Sequence, residues 1–102
     1  MPLIWSDPAI DDLAGIYTYI ARAGARQAER VLRTLSRAAE GLVTLPFVDH
    51  MSTELEGTRE RPLSRWPYSL IYCVVADRRA RGGEAEIEII RVLGPEQQRP
   101  PA

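Results

Sequence analysis

Gly57 to Val75 reads G-T-R-E-R-P-L-S-R-W-P-Y-S-L-I-Y-C-V-V, and this stretch decides the fold. Side chains of an extended chain alternate faces with period two. Arg59, Arg61 and Arg65 fall at odd positions, so an extended segment running through Pro62 would put all three on one face. Pro62 has no N–H to give to a ladder, which predicts an edge strand. Tyr68 to Ala76 is apolar on both faces and predicts an interior strand. A cationic edge beside a doubly apolar centre suits a sheet that docks onto another molecule.

Working towards the C-terminus, a basic turn is expected at Asp77–Gly83 and a last strand at about Glu86–Leu93, E-I-E-I-I-R-V-L, stopped by Gly94-Pro95. The tail, 94–102, is rich in proline and glutamine and reads as frayed. Working towards the N-terminus, strands are expected at about Glu54–Arg61 and Ser64–Ala76, and Phe47–Thr53 is a loop after a helix closed by Leu45-Pro46. That helix runs from about Ala25 to Thr44, with Ala28, Leu32, Leu35, Ala39 and Leu42 on one face. An earlier helix opens at Ser6-Asp7-Pro8, a polar N-cap followed by proline, with Asp7, Asp11 and Asp12 suited to the positive end of its dipole. Ala9, Leu13, Ile16 and Ile20 form its apolar face. Gly24 separates the two helices, which predicts an antiparallel hairpin. Leu3–Trp5 is a short opening strand.

The expected architecture is therefore α+β in one domain, 1–102. An N-terminal helical hairpin packs on one face of a small, three- to four-stranded, mainly antiparallel sheet. Two helices cover only one face of such a sheet. The strands Tyr68–Ala76 and Ile87–Leu93 nevertheless read as apolar on both faces, which predicts a protein-binding surface on the second.

Totals narrow the function classes. At 102 residues the chain can bury a single core unaided. All thirteen basic residues are arginine, opposed by fourteen acids for a net charge of −1. Proteins that live on nucleic-acid phosphates usually carry net positive charge, so direct nucleic-acid binding is disfavoured. The one cysteine, Cys73, cannot pair within the chain and reads as an inert core residue. Without a cysteine framework or a signal-peptide pattern, a reducing, cytoplasmic setting is expected, and no apolar run is long enough for a membrane. On the second helix Arg26, Arg30, Arg33 and Arg37 line one face. The plain account is a solvated face steadied by Glu29 and Glu40; the sharper one is docking of an acidic partner.

Trp5-Ser6-x-x-Ala9-x-x-Asp12-Leu13-x-x-Ile16-x-x-Tyr19-Ile20-Ala21 resembles the opening of RelE/ParE-type toxins of type II toxin–antitoxin systems. So do Leu42-x-x-x-Pro46, Gly57-Thr58-Arg59-Glu60, Trp66-Pro67-Tyr68-x-x-x-Tyr72 and Ile89-Ile90-Arg91-Val92-Leu93, in the family's order. The N-terminal segment is closer to the ParE branch. The resemblance implies a toxin that inhibits DNA gyrase and is neutralised by a cognate antitoxin, expected to be of ribbon-helix-helix type. Nucleic acid would then be met only indirectly, and no cofactor or metal is implied. Candidate target-binding residues are Arg59, Arg61, Arg65 and Arg91. Candidates for antitoxin contact on the apolar strands are Tyr68, Leu70, Tyr72, Ile90 and Val92.

The alternatives are a RelE-like ribosome-dependent mRNA endonuclease and an inactive relative that binds only its antitoxin. Metal-free RNA cleavage needs a base, an acid and cations around the phosphorus. Arginines supply the cations, but they do not trade protons near neutrality. For proton transfer the chain offers Glu54, Glu56, Glu60, Tyr68, Tyr72 and His50. His50 reads as a surface-loop histidine and the two tyrosines as packing aromatics. Gly94-Pro95 stands where many RNA-cutting relatives have histidine, and Phe47-Val48-Asp49-His50 stands where the family often has glycine then arginine. A catalytic residue is therefore not assigned, and a protein-binding toxin is preferred to an enzyme.

Overall fold

The computed structural model describes residues 2–44, 57–76 and 85–95. The expected loop with His50, the expected strand start at Glu54–Glu56, the expected turn at Asp77–Gly83 and the residues beyond Pro95 lie outside the described residues. The chain runs β1 (Leu3–Trp5), α1 (Asp7–Ala21), α2 (Ala25–Leu42), β2 (Arg59–Pro62), β3 (Ser69–Ala76) and β4 (Ala85–Leu93). The sheet order is β1-β4-β3-β2, with β1 parallel to β4 and the other neighbours antiparallel. The helical hairpin packs on one face, giving the α+β layering expected.

Ser6 makes the turn from sheet to helix. Its backbone N–H donates to the Ile89 carbonyl at 2.9 Å and its Oγ to the Ile90 carbonyl at 2.8 Å. The same Oγ accepts from the Ala9 N–H at 3.1 Å, so one side chain both caps α1 and fastens it to β4. At the hairpin, the N–H groups of Ala23 and Gly24 both reach the Ile20 carbonyl, at 2.9 and 3.1 Å. On α2 the buried stripe is Ala28, Val31, Leu35, Ala39 and Leu42. Val31 takes the place expected for Leu32, which is half-buried. Ala28, Leu35 and Leu42 are seven residues apart, and Val31 lies between them at helical spacing, so the stripe follows the narrower seam.

Val31, Leu35, Ala39 and Leu42 meet Tyr68, Leu70 and Tyr72 with Ile87, Ile89 and Val92 in one core, with Leu3, Trp5, Leu13 and Ile20 at its margins. Directly paired residues share a face. Leu70 opposite Val92, Tyr72 opposite Ile89 and Val74 opposite Ile87 therefore define the helix-covered face. The register shifts between Ile71 and Tyr72, where Ile90 is the extra residue on β4, a bulge. It resets the alternation, so Ile87, Ile89 and Val92 all reach the core. Glu86, Glu88 and Arg91 fall opposite Val75, Cys73 and Ile71 on the second face. The expectation that the last strand is apolar on both faces is therefore corrected in part: its second face carries Glu86, Glu88 and Arg91, with Leu93 opposite Ser69 the apolar residue there. β3 does carry apolar residues on both sides.

β2 is the edge strand, as Pro62 predicted, and β3 is interior. The strand break differs from expectation. Arg59 pairs with Tyr72 and Arg61 with Leu70, so both arginines lie on the helix-covered side of the sheet. β2 ends at Pro62 and 64–67 are bends, closed by the Leu63 N–H donating to the Tyr68 carbonyl at 2.9 Å. Arg65 thus belongs to the turn, not to a continuous face. Pro62 and Pro67 both lack the N–H a ladder would need there. Gly57, with φ +80, holds the left-handed backbone that leads into β2.

Candidate functional site

Two polar constructions emerge from this frame. The first is a cationic groove of about 580 Å³ between α2 and the edge of the sheet. Arg30, Arg33 and Arg37 come from consecutive turns of α2, with Thr34 and Ala38 between them. Arg61 and Pro62 from β2, then Leu63, Ser64, Arg65 and Trp66 from the bends, form the opposite wall. Arg30, Arg33, Arg37 and Arg65 are exposed, whereas Arg61, Leu63 and Trp66 are half-buried. No ion pair joins Arg30, Arg33, Arg37 or Arg65 to a described carboxylate, so the expected steadying by Glu29 and Glu40 takes no such form. Arg59 and Arg61 do have interaction partners in the fold.

The second construction joins α1 to β4. Asp12, 9% exposed, accepts from Arg91 through both carboxylate oxygens: Nε to Oδ2 at 2.7 Å and Nη2 to Oδ1 at 2.9 Å. Oδ2 also accepts from the buried N–H of Val92 at 2.9 Å. β1 pairs with β4 only as far as Ile89, and beyond that point the Asp12 carboxylate satisfies the strand edge. Hydrogen bonding to Asp12 raises the Arg91 pKa above that of an ordinary guanidinium, with burial working against it and the charge of Asp12 adding to it. The fork geometry fits arginine and not lysine. The helix dipole therefore does not account for Asp12, since only Asp7 lies in the first turn. The readable signal was position: Asp12 lies three residues after Ala9 and four before Ile16, inside the buried stripe.

The four target-binding candidates therefore divide. Arg59, Arg61 and Arg65 cluster at the β2 edge, and Arg61 and Arg65 share the groove. Arg91 belongs to β4, two strand spacings away, roughly 10 Å, and is fixed by Asp12 rather than by Glu60, Glu86 or Glu88. Of the five antitoxin candidates, Tyr68, Leu70, Tyr72 and Val92 are buried in the core between sheet and helices, and Ile90 is half-buried at the bulge. Among the proton-transfer candidates, Tyr68 and Tyr72 are 4% and 0% exposed, and Glu60 lies opposite Ile71 on the second face. Cys73 is half-buried on that second face, not in the helix-covered core. Burial pushes its thiol pKa up, with Glu88 and Glu86 adding to the effect, which leaves it protonated and a poor nucleophile near neutrality. Among the described residues no three His, Cys, Asp or Glu side chains come together to hold a metal, and no helix is long and apolar enough to cross a membrane.

A helical hairpin thus packs on a four-stranded open mixed sheet, and Asp12 of its first helix fastens it to the last strand. The family model described as "ParE toxin of type II toxin-antitoxin system, parDE" matches residues 3–99, and the chain belongs to that family. Among solved structures it is similar to one described as "Chromosomal ParDE TA system from P. aeruginosa", at 25% identity and a TM-score of 0.72. That likeness covers 92% of this chain and 95% of the other. No curated protein matches.

Proposed function

We propose that this ParE toxin acts on DNA gyrase and is held inactive by a cognate antitoxin. The observation that carries the reading is the family match over residues 3–99. The solved relative named as a ParDE system supports an antitoxin partner. Target contact rests on Arg59, Arg61 and Arg65 at the β2 edge, with Arg91 offering the 38% of its side chain that Asp12 leaves to solvent. Arginine suits such a surface because its planar fork binds in defined directions and its hydration is weak. The antitoxin contacts the half-buried Ile90 on β4 and the exposed Val75 on β3, while Tyr68, Leu70, Tyr72 and Val92, buried under the helices, shape the sheet that carries them. A segment that orders as it wraps the chain would bury more than a standard interface for a protein of this size.

Induced expression supplies the test. Growth should stop, recover when an adjacent short antitoxin is co-expressed, and be relieved by Arg65→Glu, which lies on an exposed turn. Full toxicity of folded Arg65→Glu would remove this surface from the reading. Arrest with intact supercoiling and cleaved ribosome-bound message would move the chain to RNA cleavage.

A further inference from the structure

The net charge of −1 hides a strong local asymmetry. Five arginines line the groove between α2 and the β2 edge, and no carboxylate is among its described lining residues. We propose that this groove binds single-stranded nucleic acid directly, holding the phosphodiester backbone along α2 with a base against Trp66. This goes beyond the gyrase reading and does not depend on it.

The spacing supplies the first argument. Arg30, Arg33 and Arg37 are three and four residues apart, hence separated by roughly 4.5 and 6 Å along the helix axis. Like charges at those intervals repel, and Arg30, Arg33, Arg37 and Arg65 form no ion pair with a described carboxylate. A polyanion lying along the row would relieve that repulsion and release its own counterions.

The walls supply the second argument. Trp66, half-buried with Leu63 beside it, gives an apolar surface among the cations. Arginine combined with an aromatic face is the chemistry that binds single strands without reading sequence. An acidic peptide offers the same charge but also brings a backbone in need of hydrogen bonds. The α2 wall has little for it, since the interior N–H groups of the helix are used within it, and Pro62 on the other wall has none. A nucleic-acid strand carries its charge on the backbone itself and needs only the guanidinium forks.

Fluorescence anisotropy with a labelled oligothymidylate of about twelve nucleotides tests the proposal on the purified chain, at about 50 mM salt and above. With about four phosphates neutralised, log affinity should fall with log salt at a slope of about −3. The Arg33→Glu, Arg37→Glu double variant should lose at least about tenfold in affinity and reduce the slope to about −1.4. Trp66→Leu should lose about tenfold with the slope unchanged. Thermal melts confirm that each variant is folded, and Arg65→Glu repeats the test on the opposite wall. Absence of oligonucleotide binding, or binding untouched by the arginine variants, overturns the proposal. Tighter binding of polyglutamate than of the oligonucleotide overturns it too, assigning the groove to an acidic peptide. Gyrase and antitoxin are absent from the assay, so failure here leaves the gyrase reading standing.

Discussion

Removing Asp12 should be far more damaging than removing a typical surface acid, because one carboxylate serves two elements. In Asp12→Ala the buried Val92 N–H, now 2.9 Å from Oδ2, is left without its acceptor. A buried orphan donor costs about 1–3 kcal/mol. Breaking a buried charge pair costs about 3–5 kcal/mol, but Arg91 is 38% exposed and water recovers much of that. The combined expectation is a loss of about 3 kcal/mol. For a domain of this size each kcal/mol shifts Tm by about 4–8 °C, so the melt should fall by roughly 12–24 °C. Asp12→Asn keeps an oxygen for Val92 and loses the charge, and should cost about half as much. Arg91→Ala leaves Asp12 bonded to Val92 and should also be milder. The assay is thermal and urea unfolding of the single variants and of the double variant, Asp12→Ala with Arg91→Ala. A coupling of about 1–2 kcal/mol is expected from the cycle. An Asp12→Ala protein melting within about 2 °C of the parent would refute the latch.

Ser6→Ala removes the acceptor for Ala9 and the donor to Ile90, and unfolding in urea should show a loss of about 1–2 kcal/mol; an unchanged midpoint would mean that the cap is dispensable. Cys73 should react with a disulfide reagent more slowly in the folded chain than in urea, because its pKa is raised by burial, Glu88 and Glu86. The sign follows from linkage: with the folded pKa above the unfolded one, stability is intact below the unfolded pKa and falls as pH rises through the folded pKa. Cys73→Ser should flatten that alkaline decline, and equal decline in both proteins would contradict the assignment.

Much of the fold is legible in local signals. Leu3–Trp5, both helix starts and the last strand are announced by caps, proline placement and apolar periodicity, and the structure puts them within a residue or so of those signals. What escaped depends on contacts between distant segments. The Ile90 bulge cannot be seen in E-I-E-I-I-R-V-L, since two adjacent isoleucines read equally well as a strand buried on both faces. The end of β2 at Pro62 needed the second proline, Pro67, to be weighed with the first. Asp12 interrupts an apolar stripe, a visible anomaly, but its partner is 79 positions away. The arginine row on α2 was readable as a row; that Arg61, Arg65 and Trp66 close a groove over it follows only from the hairpin packing beside the sheet edge.

The central claim, that this ParE toxin is directed at gyrase, is tested most directly by supercoiling of relaxed plasmid by purified gyrase with and without the purified chain. The account predicts that supercoiling is inhibited, that pre-mixing with the cognate antitoxin restores it, and that a coupled translation reaction leaves its message uncut. Unimpaired supercoiling beside specific cuts in ribosome-bound message would contradict it.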